Sequence, residues 1–291
     1  MLLATKILFC VFVVLLGACL ASFWALVAFR KEHQISWWRG RSFCDHCHQQ
    51  IAWWENIPIF SYLVLGGKCH HCHTVIPPLY WWWEVILGGW TLIWFWHLCP
   101  LAVYFDTHNF DVGLQPLITV IGGWWPLWRS LLIWLLGAIL GWTALVDIKT
   151  KKVDVGWLWT AAIITGLAVI GDFLTGSLTV IDIGWRLLGS VGIGVVFVAI
   201  DWVARKVWQQ TGIGSGDQLM VMILAWWLTP LQLLVMFLVS FWLGALVGVG
   251  VLLAAKKYQC ESTLPFLPFV VCGFAVAVFW GEELGQLLLG L

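Results

Sequence analysis

The run I-L-F-C-V-F-V-V-L-L-G-A-C-L-A-S-F-W-A-L-V-A-F, residues 7 to 29, holds no charge and is followed at once by Arg30 and Lys31. Its 23 residues exceed the ~20 that a helix needs to cross the hydrocarbon core. Lys6 in front of it raises the alternative of a signal peptide, but the run is long and lacks a small-x-small cleavage site before Arg30. It is read as a retained membrane helix.

The same pattern recurs at 81–104, 126–146, 155–172, 181–200, 218–229, 231–255 and 264–289. Hydrophobic residues make up 62% of the chain, charged residues 10%, and the mean hydropathy is +0.92. A soluble domain carries roughly a quarter charged residues, so a soluble globular class is excluded. The expectation is an all-α polytopic membrane protein of about eight transmembrane helices. The 218–229 run is short, and only Thr229 and Pro230 separate it from the next, so one kinked helix is the alternative there. The net charge of zero gives no reason to expect a nucleic-acid partner, and no internal repeat stands out.

An N-terminus outside the cell puts Arg30, Lys31, Arg39, Arg41, Lys68, Lys149, Lys151, Lys152, Arg205, Lys206, Lys256 and Lys257 on one side, 12 of the 15 basic residues. Lys6, Arg129 and Arg186 fall opposite, so the positive-inside rule makes the larger set cytoplasmic. Merging the 218–229 and 231–255 runs would carry Lys256 and Lys257 outside, which favours eight spans. The expected organisation is a first membrane helix over 1–29, a cytoplasmic domain over 30–80 and a seven-helix membrane domain over 81–291.

The 30–80 segment reads S-F-C-D-H-C-H and then K-C-H-H-C-H, two C-x-x-C knuckles at Cys44, Cys47, Cys69 and Cys72. Four thiolates so spaced suit tetrahedral zinc. Two disulfides are the rival, disfavoured in a reducing cytoplasm. Six of the eight histidines also lie between 33 and 73, so His46, His48, His70, His71 or His73 is an alternative ligand to a thiolate. The four-cysteine set is simpler, and a segment with so few core residues points to a structural metal. Cys10, Cys19, Cys99, Cys260 and Cys272 read as ordinary thiols in or beside apolar runs.

Two acids differ from the rest. Asp147 ends the third span and Asp217 opens the sixth, after T-G-I-G-S-G at 211–216. The charge count brings both to the cytoplasmic membrane face. Two carboxylates in one site cannot both ionise cheaply, so one holds a proton while the other activates water against a carbonyl. Gly212, Gly214 and Gly216 are expected to supply positive φ and to let a substrate backbone approach. The rival reading makes Asp217 a helix cap in an ordinary turn.

Together these segments resemble the type IV prepilin leader peptidases, GxGD-type aspartic proteases of the bacterial inner membrane. The resemblance covers nearly the whole chain. R-G-R-S-F-C-D-H-C, E-N-I-P-I-F-S-Y-L, G-G-K-C-H-H-C and I-P-P-L-Y-W-W-W-E-V follow the family's order of paired cysteines, Asn-Ile-Pro and Tyr-x-x-x-Glu. A-L-V-D-I-K-T-K-K-V-D and G-S-G-D are similar to its two aspartate segments. Leu219 stands where the family usually has lysine, and Val153–Asp154 where it usually has Ile-Pro.

The resemblance implies that Asp147 and Asp217 cleave a prepilin or pseudopilin after the glycine that ends its basic leader, with Gly214 and Gly216 as substrate-site backbone. It also implies N-methylation of the new terminus with S-adenosylmethionine. No G-x-G-x-x-G marks a cofactor fold, and Glu84 and Gly88 are the candidate cofactor-binding residues, with a snorkelling interfacial acid as the alternative for Glu84. The expected setting is the inner membrane, with the N-terminus periplasmic and lipid and prepilin as partners. A transporter, or an assembly scaffold whose zinc domain recruits partners, is the alternative; its acids would sit nearer the bilayer midplane. Another GxGD protease would not be expected to carry the four-cysteine insertion. The clustered tryptophans, Trp37–Trp38, Trp53–Trp54, Trp81–Trp83, Trp124–Trp125 and Trp226–Trp227, are read first as interfacial belts.

Overall fold

The computed structural model describes residues 2–32, 36, 40–98, 124–151, 153, 155–209, 213–254 and 264–290. His33, Trp37, Trp38, Arg39, Cys99, Lys152, Asp154, Gly212, Lys256, Lys257 and Cys260, used above, lie outside them, as does the 99–104 end of the second apolar run. The described residues form helices and short turns with isolated bridges, and no strand, as expected of an all-α membrane protein. The chain divides into two compact units, 1–121 and 122–291.

In the first unit, α1 (Leu2–Glu32) and α3 (Pro78–His97) run antiparallel. Small residues set their closeness. A Cβ on Gly17 would lie 2.3 Å from Thr91 Oγ1, and one on Gly88 would lie 3.1 Å from the Val14 carbonyl. Between lipid-facing helices such close backbone approach replaces the hydrophobic drive that lipid removes. Trp83, 1% exposed, donates its indole N–H to Ala21 O at 3.0 Å. The segment between these helices carries a 3₁₀ turn (Trp53–Asn56) and the short α2 (Phe60–Val64).

The second unit holds α4 (Trp124–Thr150), α5 (Val155–Leu174), α6 (Val180–Trp208), α7 (Ser215–Ala225), α8 (Pro230–Ala254) and α9 (Leu267–Leu289). Pro230 opens α8 after a break at 226–229, so the two apolar runs there are separate helices. Along α9, Gly273 faces Ser240 and the Met236 carbonyl, Gly281 faces Gln232, and Gly285 faces Leu231. That antiparallel seam repeats the small-residue device of the first unit. The short α7 packs against α5 and α6 through Met220, Val221, Leu224 and Ala225, all at most 2% exposed.

Among the described residues, α1, α4, α5, α6, α8 and α9 are long and apolar enough to span a bilayer. Eight spans would require α3 and α7 as well. The 20-residue α3 contains six tryptophans and is less uniformly hydropathic, and α7 has 11 residues. Not every clustered tryptophan serves a headgroup belt. Trp125 donates to buried Asp172 at 2.9 Å and Trp227 to buried Thr165 at 2.8 Å, so these indoles tie helices together.

Candidate active site

Asp147 stands near the end of α4 and is 4% exposed; its Oδ2 accepts the Leu267 N–H at the start of α9 at 3.3 Å. A helix N-terminus offers free N–H groups and the positive end of its dipole, so it suits a carboxylate. Asp217 occupies the first turn of α7 and is 8% exposed. The helix begins at Gly214 without a side-chain cap bond, so Asp217 does not cap it. Seventy residues apart in sequence, the two acids stand on segments that meet where Gly216 packs on Val153.

Asp217 Oδ1 is buried and has no hydrogen-bond partner. Buried carboxylate oxygens are nearly always satisfied, so this atom is chemically poised to hold a proton or water. Both acids lie at helix ends, one in the last turn of α4 and one in the first turn of α7.

The glycines act differently from expectation. Gly214 has φ −64°, and Gly216 is not among the glycines with positive φ. Gly216 is required sterically: a Cβ there would lie 2.9 Å from Val153 Cβ. The backbone that carries Asp217 thus packs directly on the segment that follows Asp147. Leu219 is 52% exposed, whereas Met220 and Val221 are buried, so its side chain points away from the acids.

Asp201 escaped the sequence reading. It is 7% exposed on α6, pairs with Arg205 and accepts the Ile213 N–H at 3.4 Å. Gln218 Nε2 reaches the Ile213 carbonyl, also at 3.4 Å. The turn ahead of Asp217 is therefore tied through both the N–H and the carbonyl of one residue, Ile213. The signal in the sequence was an acid directly after the 181–200 run and four residues before Arg205.

In the first unit, the sulfurs of Cys44, Cys47, Cys69 and Cys72 all lie within 4.8 Å of one another, and Cys44 and Cys72 are 3.8 Å apart. A tetrahedron with metal–sulfur bonds of about 2.3 Å has edges of about 3.8 Å, so the thiols fit a single ion. The two knuckles are built alike. Cys44 N donates to Gln49 O and Cys69 N to Thr74 O; His48 and His73 follow with φ 55° and 57°. The sequence shows the pair as two C-x-x-C knuckles; the structure adds that both fold through the same backbone turn.

The protons of these thiols compete. Hydrogen bonds from the Thr74 side chain and backbone bring Cys72 down to about 5. At Cys47 the Gln49 backbone works downward, but desolvation and the neighbouring cysteines outweigh it and push the thiol up to about 11. A divalent cation relieves that competition by favouring all the thiolates.

A cavity of about 660 Å³ lies in the same unit, lined by apolar residues of α1 together with Tyr62, Tyr80, Trp81 and Glu84. Glu84 Oε2 accepts the Ile59 N–H at 2.7 Å. Ile59 has φ 64°, a left-handed backbone rare for a β-branched residue, and the carboxylate holds that turn on α3. Glu84 thus has a backbone partner in the segment between α1 and α3. Gly88 lies in the α1–α3 seam described above.

The Bacterial Peptidase A24 N-terminal domain matches residues 15–98. A prepilin leader peptidase/N-methyltransferase of Aeromonas hydrophila is 25% identical over 248 residues, covering 84% of this chain and 73% of that protein. Proteins of the same name from Myxococcus xanthus and Pseudomonas aeruginosa are 30% and 29% identical, covering 86% and 84% of this chain and 65% and 72% of their own lengths. No solved structure matches. With a Bacterial Peptidase A24 N-terminal domain over 15–98 and relatives of one name aligned along most of its length, the chain is similar to the type IV prepilin leader peptidases.

Proposed function

We propose that this chain is the prepilin peptidase and N-methyltransferase of a bacterial inner membrane, with Asp147 and Asp217 as its proteolytic pair. The carrying observation is that two buried carboxylates stand at the ends of separate helices whose following and preceding segments meet at Val153 and Gly216, one carboxylate having an unpartnered oxygen. One carboxylate takes a proton from water as general base while the other gives its proton to the carbonyl oxygen; as the tetrahedral gem-diol collapses, the first passes the water's proton to the leaving amine and the second recovers its own from the gem-diol hydroxyl. Their position at helix ends suits a substrate whose basic leader lies in the cytoplasm and whose hydrophobic segment lies in the bilayer, so that the bond after the leader glycine arrives at the inner face. A transporter's acids would sit nearer the midplane.

The four cysteines would hold a structural zinc ion in the cytoplasmic segment. The cavity beside Glu84 would take S-adenosylmethionine. Its volume is in the range of small-molecule sites, and a sulfonium cation is favoured by a carboxylate and by aromatic faces such as Tyr62, Tyr80 and Trp81. The bound donor supplies the methyl group; Glu84 supplies negative charge and holds the Ile59 turn.

The test is cleavage of a prepilin by purified enzyme in detergent. Asp147→Ala and Asp217→Ala are each expected to slow it by at least about a hundredfold while leaving membrane insertion intact. Cleavage retained by either variant refutes the pair.

A further inference from the structure

Beside the four sulfurs stands a second group of donors. One ligand atom each from Glu55, His70 and His71 lies within 4.8 Å of the other two. Glu55 closes the 3₁₀ turn: its Oε2 accepts the Ala52 N–H at 2.8 Å, which leaves Oε1 directed at His70 Nδ1, 3.2 Å away. The Glu55 side chain is 5% exposed, so this carboxylate is held in place rather than solvated. The Trp54 ring stands edge-on to His70 at 5.4 Å, and the His70 and His71 rings are 5.2 Å apart.

We infer that Glu55, His70 and His71 form a second divalent-metal site, distinct from the cysteine cluster, with a coordination position left open. The second knuckle makes this economical. Its outer residues, Cys69 and Cys72, belong to the sulfur group, and its inner residues, His70 and His71, belong to the other. Two imidazoles and one carboxylate are borderline-to-hard donors that suit zinc, cobalt or nickel, and three protein ligands are what open zinc sites carry. Bonds of about 2.0–2.2 Å require the three atoms to draw closer. The exposed histidines can do this, because only Glu55 is fixed from behind. All three residues line the cavity that also holds Asp45 and His46, so a metal there would be reached from the cavity side. The open position would take water or an anionic oxygen ligand.

The test uses the untagged full-length chain in detergent, its cysteine site first loaded with one equivalent of zinc. Cobalt is then titrated and followed optically. The expected result is one further equivalent, with a weak ligand-field band and no sulfur charge-transfer band. Removing an outer-shell partner alone costs a metal site ten- to a hundredfold in affinity; His71→Ala and Glu55→Gln should therefore each weaken this second equivalent by at least about tenfold. Zinc content at the cysteines, measured in the same samples, reports that the domain is intact. Absence of a second equivalent, or one that binds unchanged in both variants, overturns the inference.

Discussion

At the residue scale, the decisive position beside the acids is Gly216. Sequence reasoning placed glycine there for backbone freedom, and the structure requires it for space. The difference lies in a long-range contact: Val153 precedes Gly216 by 63 positions, yet a Cβ on Gly216 would meet it at 2.9 Å. No local pattern encodes that meeting, whereas the acid itself was visible as a charge opening an apolar run. Gly216→Ala should displace the start of α7 from the segment after Asp147 and slow prepilin cleavage by about ten- to a hundredfold, the cost of small misplacements of catalytic groups. Val153→Gly in the same chain removes the obstructing Cβ together with its methyls and should restore most of the rate. A double-mutant cycle on cleavage rates reads this directly, since independent sites would give additive losses.

At the scale of elements, the apolar runs announced the helices and misjudged their ends. The sixth described helix continues to Trp208, well past the expected limit at residue 200, because Asp201 and Arg205 pair at i,i+4 and satisfy each other on its last turns. The helix α7 begins at Ser215, before the expected 218, so Asp217 lies inside it. Run length carries no information on which faces meet. The α8–α9 seam appeared only in the structure, through Gly273, Gly281 and Gly285. A Cβ at Gly273 would lie 2.2 Å from Ser240 Oγ and 2.7 Å from the Met236 carbonyl. Gly273→Val should therefore destabilise the second unit by about 1–3 kcal/mol, as overpacking does. Gly250→Ala, in α8 where nothing lies within 4 Å, should be neutral or mildly stabilising through helix propensity. Thermal unfolding in detergent separates the two. Since α9 presents the Leu267 N–H to Asp147, the Gly273 variant should also cleave more slowly at temperatures where it remains folded.

At the scale of the whole molecule, the two proposed chemistries fall in different compact units: the carboxylate pair in 122–291, and the cysteine cluster with the Glu84 cavity in 1–121. Their order follows from chemistry, since the amine to be methylated exists only after the peptide bond is cut. Glu84→Gln tests the division. Glutamine keeps a carbonyl oxygen to accept the Ile59 N–H and removes the charge that would face a sulfonium cation. An acceptor for that half-buried donor matters, because an unsatisfied buried group costs about 1–3 kcal/mol. Mass spectrometry of the product N-terminus should then show cleavage near the unsubstituted rate and a methylated fraction reduced at least about tenfold, the loss of roughly one charged contact. Asp217→Ala should abolish cleaved and methylated product together. Cleavage lost in parallel with methylation in the Glu84 variant would mean that the carboxylate supports the proteolytic unit as well, and the assignment of one chemistry to each unit would fall.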